Sequence, residues 1–176
     1  GIIDGAGGIT NATFEGTTPQ NQTRYTLAIP SVFGIFLNTN KNQILADKEI
    51  RRALEYAIDK ESVMREATDG EGVITETPIP QGVFNLNPSI IAVPYDPKKA
   101  KAILEQAGFR EENGVRVKKT KNRGKETAAP LKIALTTSDA PALERAALGI
   151  KTMWQAVGIT TDLAVIPIIE LESSVI

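Results

Sequence analysis

Thr136-Thr137-Ser138-Asp139 is the stretch of this 176-residue sequence best placed to hold a ligand. The alternating Leu131, Ile133 and Leu135 predict a strand that ends there, and an amphipathic helix is predicted to begin there. In open α/β sheets, ligands gather at such strand ends. Free backbone N–H groups and the helix dipole also favour an anionic group at the same place. The plainer alternative is that Ser138 or Asp139 only caps the helix. Three further features invite chemistry. Arg116, Lys118, Lys119, Lys121, Arg123 and Lys125 form a basic run that could bind phosphates. No aromatic interleaves it, so bases would have no stacking platform, and Glu111, Glu112 and Glu126 flank it as in a solvated hairpin or loop. Asp162, Glu170 and Glu172 offer carboxylates, but a hydrolase needs two of them facing one cleft. Surface placement is the simpler expectation. Trp154, the only tryptophan, could stack on a ligand, yet it falls in phase with Ile150, Met153 and Val157. A core role is favoured.

Composition narrows the choices. The sequence has no histidine and no cysteine. The usual general base, the usual metal ligand, disulfides and thiolate sites are therefore ruled out. No G-x-S-x-G nucleophile motif is present. The expectation is no catalytic residue, no metal and no cofactor. A formal charge of −1 gives no general reason to expect nucleic acid. Hydrophobic residues at 41% suit one globular domain over residues 1–176, with an ordinary core. No apolar run is long enough to span a membrane.

The elements that would position these residues follow from periodicity. Residues 1–24 are poorly patterned, and Asn11 and Asn21 open sequons of the kind that occur by chance. Tyr25, Leu27 and Ile29 alternate as in a strand before Pro30. Residues 32–38 are apolar almost throughout, which predicts a central strand buried on both faces. In DKEIRRALEYAIDK (47–60), Ile50, Ala53, Leu54, Ala57 and Ile58 make one helical stripe. Asp47 is its expected cap, and Asp59 can start a second helix that Gly70 and Gly72 stop. Residues 73–94 read as an irregular, proline-containing loop. Asp96-Pro97 opens a helix with Ala100, Ile103, Leu104 and Ala107 inward, and Gly108 ends it. The longest helix spans 141–157, with Gly158 at its end, and 160–166 is a closing strand. Strands alternating with helices predict an α/β fold, a sheet flanked by helices.

Several of these strings share one resemblance. The run DKEIRRALEYAIDK is similar to the "R-x-A-l-x-y-A-I-D-r-e" signature of the family 5 extracellular solute-binding proteins. FGIFLNTN (33–40) resembles the family's strand ending in "f-N-t", and TETPIPQGVF (75–84) its "g-p-i-p-p-g" loop. YDPKKAKAILEQAGF (95–109) is close to "y-D-p-e-k-A-k-k-L-L-a-e-A-G-y". LKIALTTSD and WQAVGI follow in the family's order. These proteins are the oligopeptide- and dipeptide-binding subunits of bacterial ABC importers.

The resemblance implies one lobe of a type II periplasmic-binding-protein fold, and Gly1–Asp4 looks like the family's "G-x-i-D" segment. It implies that the chain is an excised part of the second lobe, with the signal peptide and most of the first lobe upstream. The function implied is capture of extracellular peptides or similar small solutes in a cleft between lobes, for delivery to a membrane permease. The remaining lobe and the permease are the expected partners, and the expected location is outside the cytoplasm. The cleft edge is expected at Thr137, Ser138 and Asp139, with Pro30, Ser31 and Phe33 near the hinge side. A carboxylate-based hydrolase, or a peptide-binding chaperone or signalling receptor using the same lobe, stand as alternatives.

Overall fold

The computed structural model describes residues 31–79, 91–122 and 124–170. Gly1–Asp4, the two sequons, the 25–29 strand and Glu172 lie outside the described residues, as does 80–90 of the proline-containing loop. A short 3₁₀ turn, Gln43–Ala46, leads into helices α1 (Lys48–Tyr56) and α2 (Lys60–Thr68). Helix α3 (Pro97–Gln106) precedes an antiparallel meander, β1 (Arg110–Glu112), β2 (Val115–Asn122) and β3 (Lys125–Pro130). Strand β4 (Lys132–Ser138), helix α4 (Pro141–Ala156) and strand β5 (Thr160–Ile166) then make one β-α-β unit, with β4 and β5 parallel. The α/β class holds. The strands are divided between two sheets, one antiparallel and one parallel, not gathered into one.

Local chemistry accounts for the helix starts. The Asp47 carboxylate accepts the Glu49 N–H, that of Asp59 the Ser62 N–H, and that of Asp96 the Lys99 N–H. Pro97 occupies the first turn of α3, where no N–H is needed. The apolar stripes meet as read from the sequence. Ile50, Ala53, Leu54 and Ala57 of the α1 region pack with Ala100, Ile103 and Leu104 of α3. Ile150, Trp154 and Val157 of the α4 region close the same core over Leu131, Ile133 and Ile159. Trp154 is 1% exposed, and its indole N–H donates to the Leu54 carbonyl at 3.0 Å. It is a core residue.

One strand expectation is overturned. Residues 31–38 form no strand, and Phe33 and Phe36 are 65% and 92% exposed. A strand buried on both faces needs a neighbour to pair with and cover on each side. Among the described residues no ladder reaches this segment. Only Leu37 packs against the core. The segment joins the body through Asn42, whose side-chain amide donates to the Lys132 carbonyl at 3.2 Å.

The basic run also departs from the expectation in one residue. Arg116 is not solvated but 1% exposed. Its guanidinium donates to the Phe109 carbonyl (3.2 Å), the Val157 carbonyl (3.3 Å) and Glu105 (3.0 Å), with Glu111 at 3.6 Å. Its backbone N–H donates to Gly158, and its carbonyl accepts from Leu131, both at 2.7 Å. Thr160 N–H then donates to the Leu131 carbonyl. This joint ties the meander to the starting ends of β4 and β5. Gly158 is required there. Its φ is +89°, and a Cβ would stand 2.8 Å from Arg116 Cγ.

Two outcomes follow. Arg116→Met should cost about 2–4 kcal/mol in denaturant melts, because two carbonyls lose their buried donor. Glu105→Ala should cost far less, since its side chain is half exposed. The Asp59 carboxyl is held below its ordinary range, first by the Ser62 hydroxyl and then by the Ser62 N–H. Its folded pKa is thus depressed, so its contribution is present at neutral pH and fades as pH falls through that folded value. Asp59→Ala should cost about 1 kcal/mol at neutral pH, and the difference from the parent should shrink on acidification.

Candidate functional site

The candidate site stands at the finishing ends of the parallel pair. Ser138 is the register partner of Ile166, and Thr137 that of Val165. The Asp139 N–H donates to the Ile166 carbonyl at 2.9 Å, extending the ladder by one bond. The chain then turns into α4 through Ala140 and Pro141. The starting ends of both strands are fixed by the Arg116 joint described above. Seven residues of strand separate the two ends, about 20 Å at strand rise. The loop therefore projects from a stiff base.

Thr137, Ser138 and Asp139 are together, but in three different environments. Thr137 is half-buried, Ser138 is fully buried and Asp139 is exposed. The Ser138 hydroxyl accepts the Ala140 N–H at 3.4 Å, a long contact. Neither Ser138 nor Asp139 caps the helix as expected from sequence. The N-cap of α4 is Ala140, and no side chain caps its first turn. Pro141 supplies part of the reason, since it lacks an N–H. The Asp139 carboxylate turns the other way and accepts the Ile168 N–H at 3.1 Å. It fastens the segment leaving β5 to the start of α4. The positive end of the α4 dipole is left without a side-chain cap, as an anion-binding terminus would be.

Around this loop the surface is apolar. Val165, Ile168 and Ile169 are 41%, 65% and 86% exposed. Ser31 and Phe33, both exposed, stand on the separate segment that enters through Asn42. Two open grooves lie elsewhere. One of about 560 Å³ is lined by Glu66, Arg145, Leu148, Gly149, Thr152 and Met153. Another of about 600 Å³ runs along Met64, Arg65 and Val73. Neither includes residues 137–139. Asp162 is ion-paired to Lys132 at 2.6 Å, and Glu170 is exposed, as surface placement predicts. Among the described residues no cluster of acids is arranged to hold a metal. No described helix is long and apolar enough to cross a membrane.

Known proteins place this arrangement. Residues 3–172 match the family described as bacterial extracellular solute-binding proteins, family 5 middle. The chain belongs to that family. Oligopeptide-binding protein AppA of Bacillus subtilis is 40% identical over 78 residues, 42% of this chain and 14% of that protein. Heme-binding protein A of Haemophilus influenzae is 38% identical over 61 residues, 35% of this chain and 11% of its own length. The solved structure of the Bacillus subtilis protein in complex with a nonapeptide superposes with a TM-score of 0.64 at 27% identity. That match covers 76% of this chain and 26% of the solved one. The fold is accordingly that of type II periplasmic binding proteins, of which this chain spans about a quarter of the solved relative.

The loop's unexpected feature is the Asp139 to Ile168 bond, which no sequence spacing announces. Asp139→Ala should cost about 1 kcal/mol, as for one hydrogen bond to a charged group. Hydrogen exchange should speed up at the Ile168 amide and stay unchanged in the first turn of α4. Faster exchange in α4 instead would restore the capping role.

Proposed function

We infer that this chain is part of one lobe of the substrate-binding component of an ABC importer. The protein captures peptides or similar small solutes outside the cytoplasm and delivers them to a membrane permease. The observation that carries the reading is the superposition, over 76% of the chain, on a binding protein holding a nonapeptide. The geometry agrees with it. The loop 137–139 lies at the strand ends of a parallel pair, where α/β folds place ligands. It is polar and set in an apolar surround.

In this reading Thr137 and Asp139 face the cleft, and Ser138, being buried, shapes the loop from behind. Ser31 and Phe33 lie toward the hinge. The uncapped start of α4 suits an anionic group such as a peptide carboxylate. Closure of a second lobe over the ligand would complete the site. An extended peptide is then held mainly through main-chain hydrogen bonds, which leaves side-chain identity free. Binding fits better than catalysis because the relatives carry binding names, one for oligopeptides and one for heme.

Mass spectrometry of material co-purifying with the two-lobed protein tests the cargo. A ladder of short peptides is expected, and a single glycan or chelate would overturn the peptide assignment. The present chain alone should bind a mixed peptide library no tighter than about 1 mM by calorimetry, because half a cleft leaves much of the ligand in water. Micromolar binding would contradict the two-lobe reading. In the two-lobed protein, Thr137→Trp should weaken binding while the melting temperature barely moves. Unchanged affinity in that variant would remove the loop from the site.

A further inference from the structure

The basic run looks neutralised in the sequence, because acids flank it. The structure separates the two charges. Glu111 lies 3.9 Å from Lys101 and 3.6 Å from Arg116, and Glu112 is ion-paired with Lys119. Both acids belong to β1, which pairs only with Val115–Val117. Beyond Val117 the meander continues as a two-stranded ribbon through Asn122 and Lys125. Its far half carries Lys118, Lys119, Lys121, Arg123 and Lys125 against Glu126 alone. Lys118, Lys119 and Lys121 are exposed, and so is every residue of β3. Lys118 is drawn back to the Ala107 carbonyl and the Phe109 ring. Lys121 and Lys125 make no ion pair among the described residues. Five residues of ribbon reach about 17 Å past β1.

We propose that this ribbon tip is a docking surface for an anionic phospholipid bilayer. The inference goes beyond the transport reading and does not depend on it. A specific protein interface is anchored by buried aromatic or large apolar side chains. The tip offers none. Its uncharged side chains are Thr120, Thr127, Ala128 and Ala129, and the two threonine hydroxyls bond each other at 2.9 Å. Flexible lysines projecting from a ribbon suit a target whose negative charge is spread out and fluid. The whole chain carries −1, so the remaining surface is net acidic. A negative membrane would repel that remainder and receive the tip first.

Co-sedimentation of the chain with vesicles tests this. Equal parts phosphatidylglycerol and phosphatidylcholine should bind it, and phosphatidylcholine alone should not. Raising the salt from about 0.02 M to about 0.5 M should release it. Lys121→Gln with Lys125→Gln should weaken binding about 25-fold, taking roughly fivefold per lysine at the surface. The melting temperature should hold, because neither side chain is buried. Lys48→Gln with Lys98→Gln removes equal charge elsewhere and should change binding little. Equal losses in the two double variants would show a general charge effect and overturn the tip assignment. Binding that survives high salt would belong to exposed apolar residues such as Phe33 and Phe36, and would overturn it too. So would an absence of binding to either vesicle. Tip-dependent capture of an acidic polypeptide without vesicle binding would replace the membrane with a protein.

Discussion

The carbonyls at a helix's C-terminal end have no partner within the helix, and that constraint organises this structure. In each helix a donor from a distant element meets it. Trp154 donates to Leu54 at the end of α1, beside the Asp96 N–H on the Tyr56 carbonyl. Arg145 donates to Glu66 and Ala67 at the end of α2, at 2.9 and 2.6 Å. Lys118 reaches Ala107 after α3, and Arg116 reaches Val157 after α4. Each bond crosses from one element to another, so satisfying a helix end also fixes a tertiary contact. Buried N–H and guanidinium groups that would be costly alone become the joints between layers.

Arg116 is the joint on which most converges. It holds the ends of α3 and α4 with its side chain and the two sheets with its backbone. Its sequence neighbours Lys118 and Lys119 are of the same type and are exposed. Nothing in the local string distinguishes them. The period of two along β2 does put Arg116 on one face and Lys119 on the other, but the facing partner, Gly158, lies 42 residues on and must be known as a neighbour first. Charge patterning reads composition. It does not read which charge has a cage of carbonyls built around it.

The same distinction separates what was legible from what was not. Helices α1, α3 and α4 were readable because periodicity, caps and terminators are all local: Asp47, Asp96-Pro97, Gly108 and Gly158 act within a few residues of themselves. The loop 137–139 was readable for the same reason, since a strand pattern meets a helix pattern there. Its internal wiring was not. Asp139 next to a helix start looks like a cap, and only the return of β5 beside β4 brings the Ile168 N–H within its reach. Residues 32–38 fail in the opposite way. Their apolar character was read correctly, but burial belongs to the covering surface, and among the described residues nothing covers Phe33 or Phe36.

Stiffness and exposure are thus divided along β4 and β5. At their starting ends, Arg116, Leu131 and Gly158 are locked by bonds of 2.7 Å and by a glycine that admits no side chain. At their finishing ends, a single carboxylate holds two departing segments, beside an uncapped helix and exposed Val165, Ile168 and Ile169. A parallel pair is normally covered on both faces. Here Ala134, Thr136, Asp162 and Ala164, which share one face, are all exposed. A molecule that needed only to be stable would bury these groups or replace them with charge. Keeping them open, on a base rigid enough to define their positions, suits a surface that is finished by something else. On the proposed function that is ligand and opposing lobe together, which is why half of the cleft should show the fold in full and the affinity hardly at all.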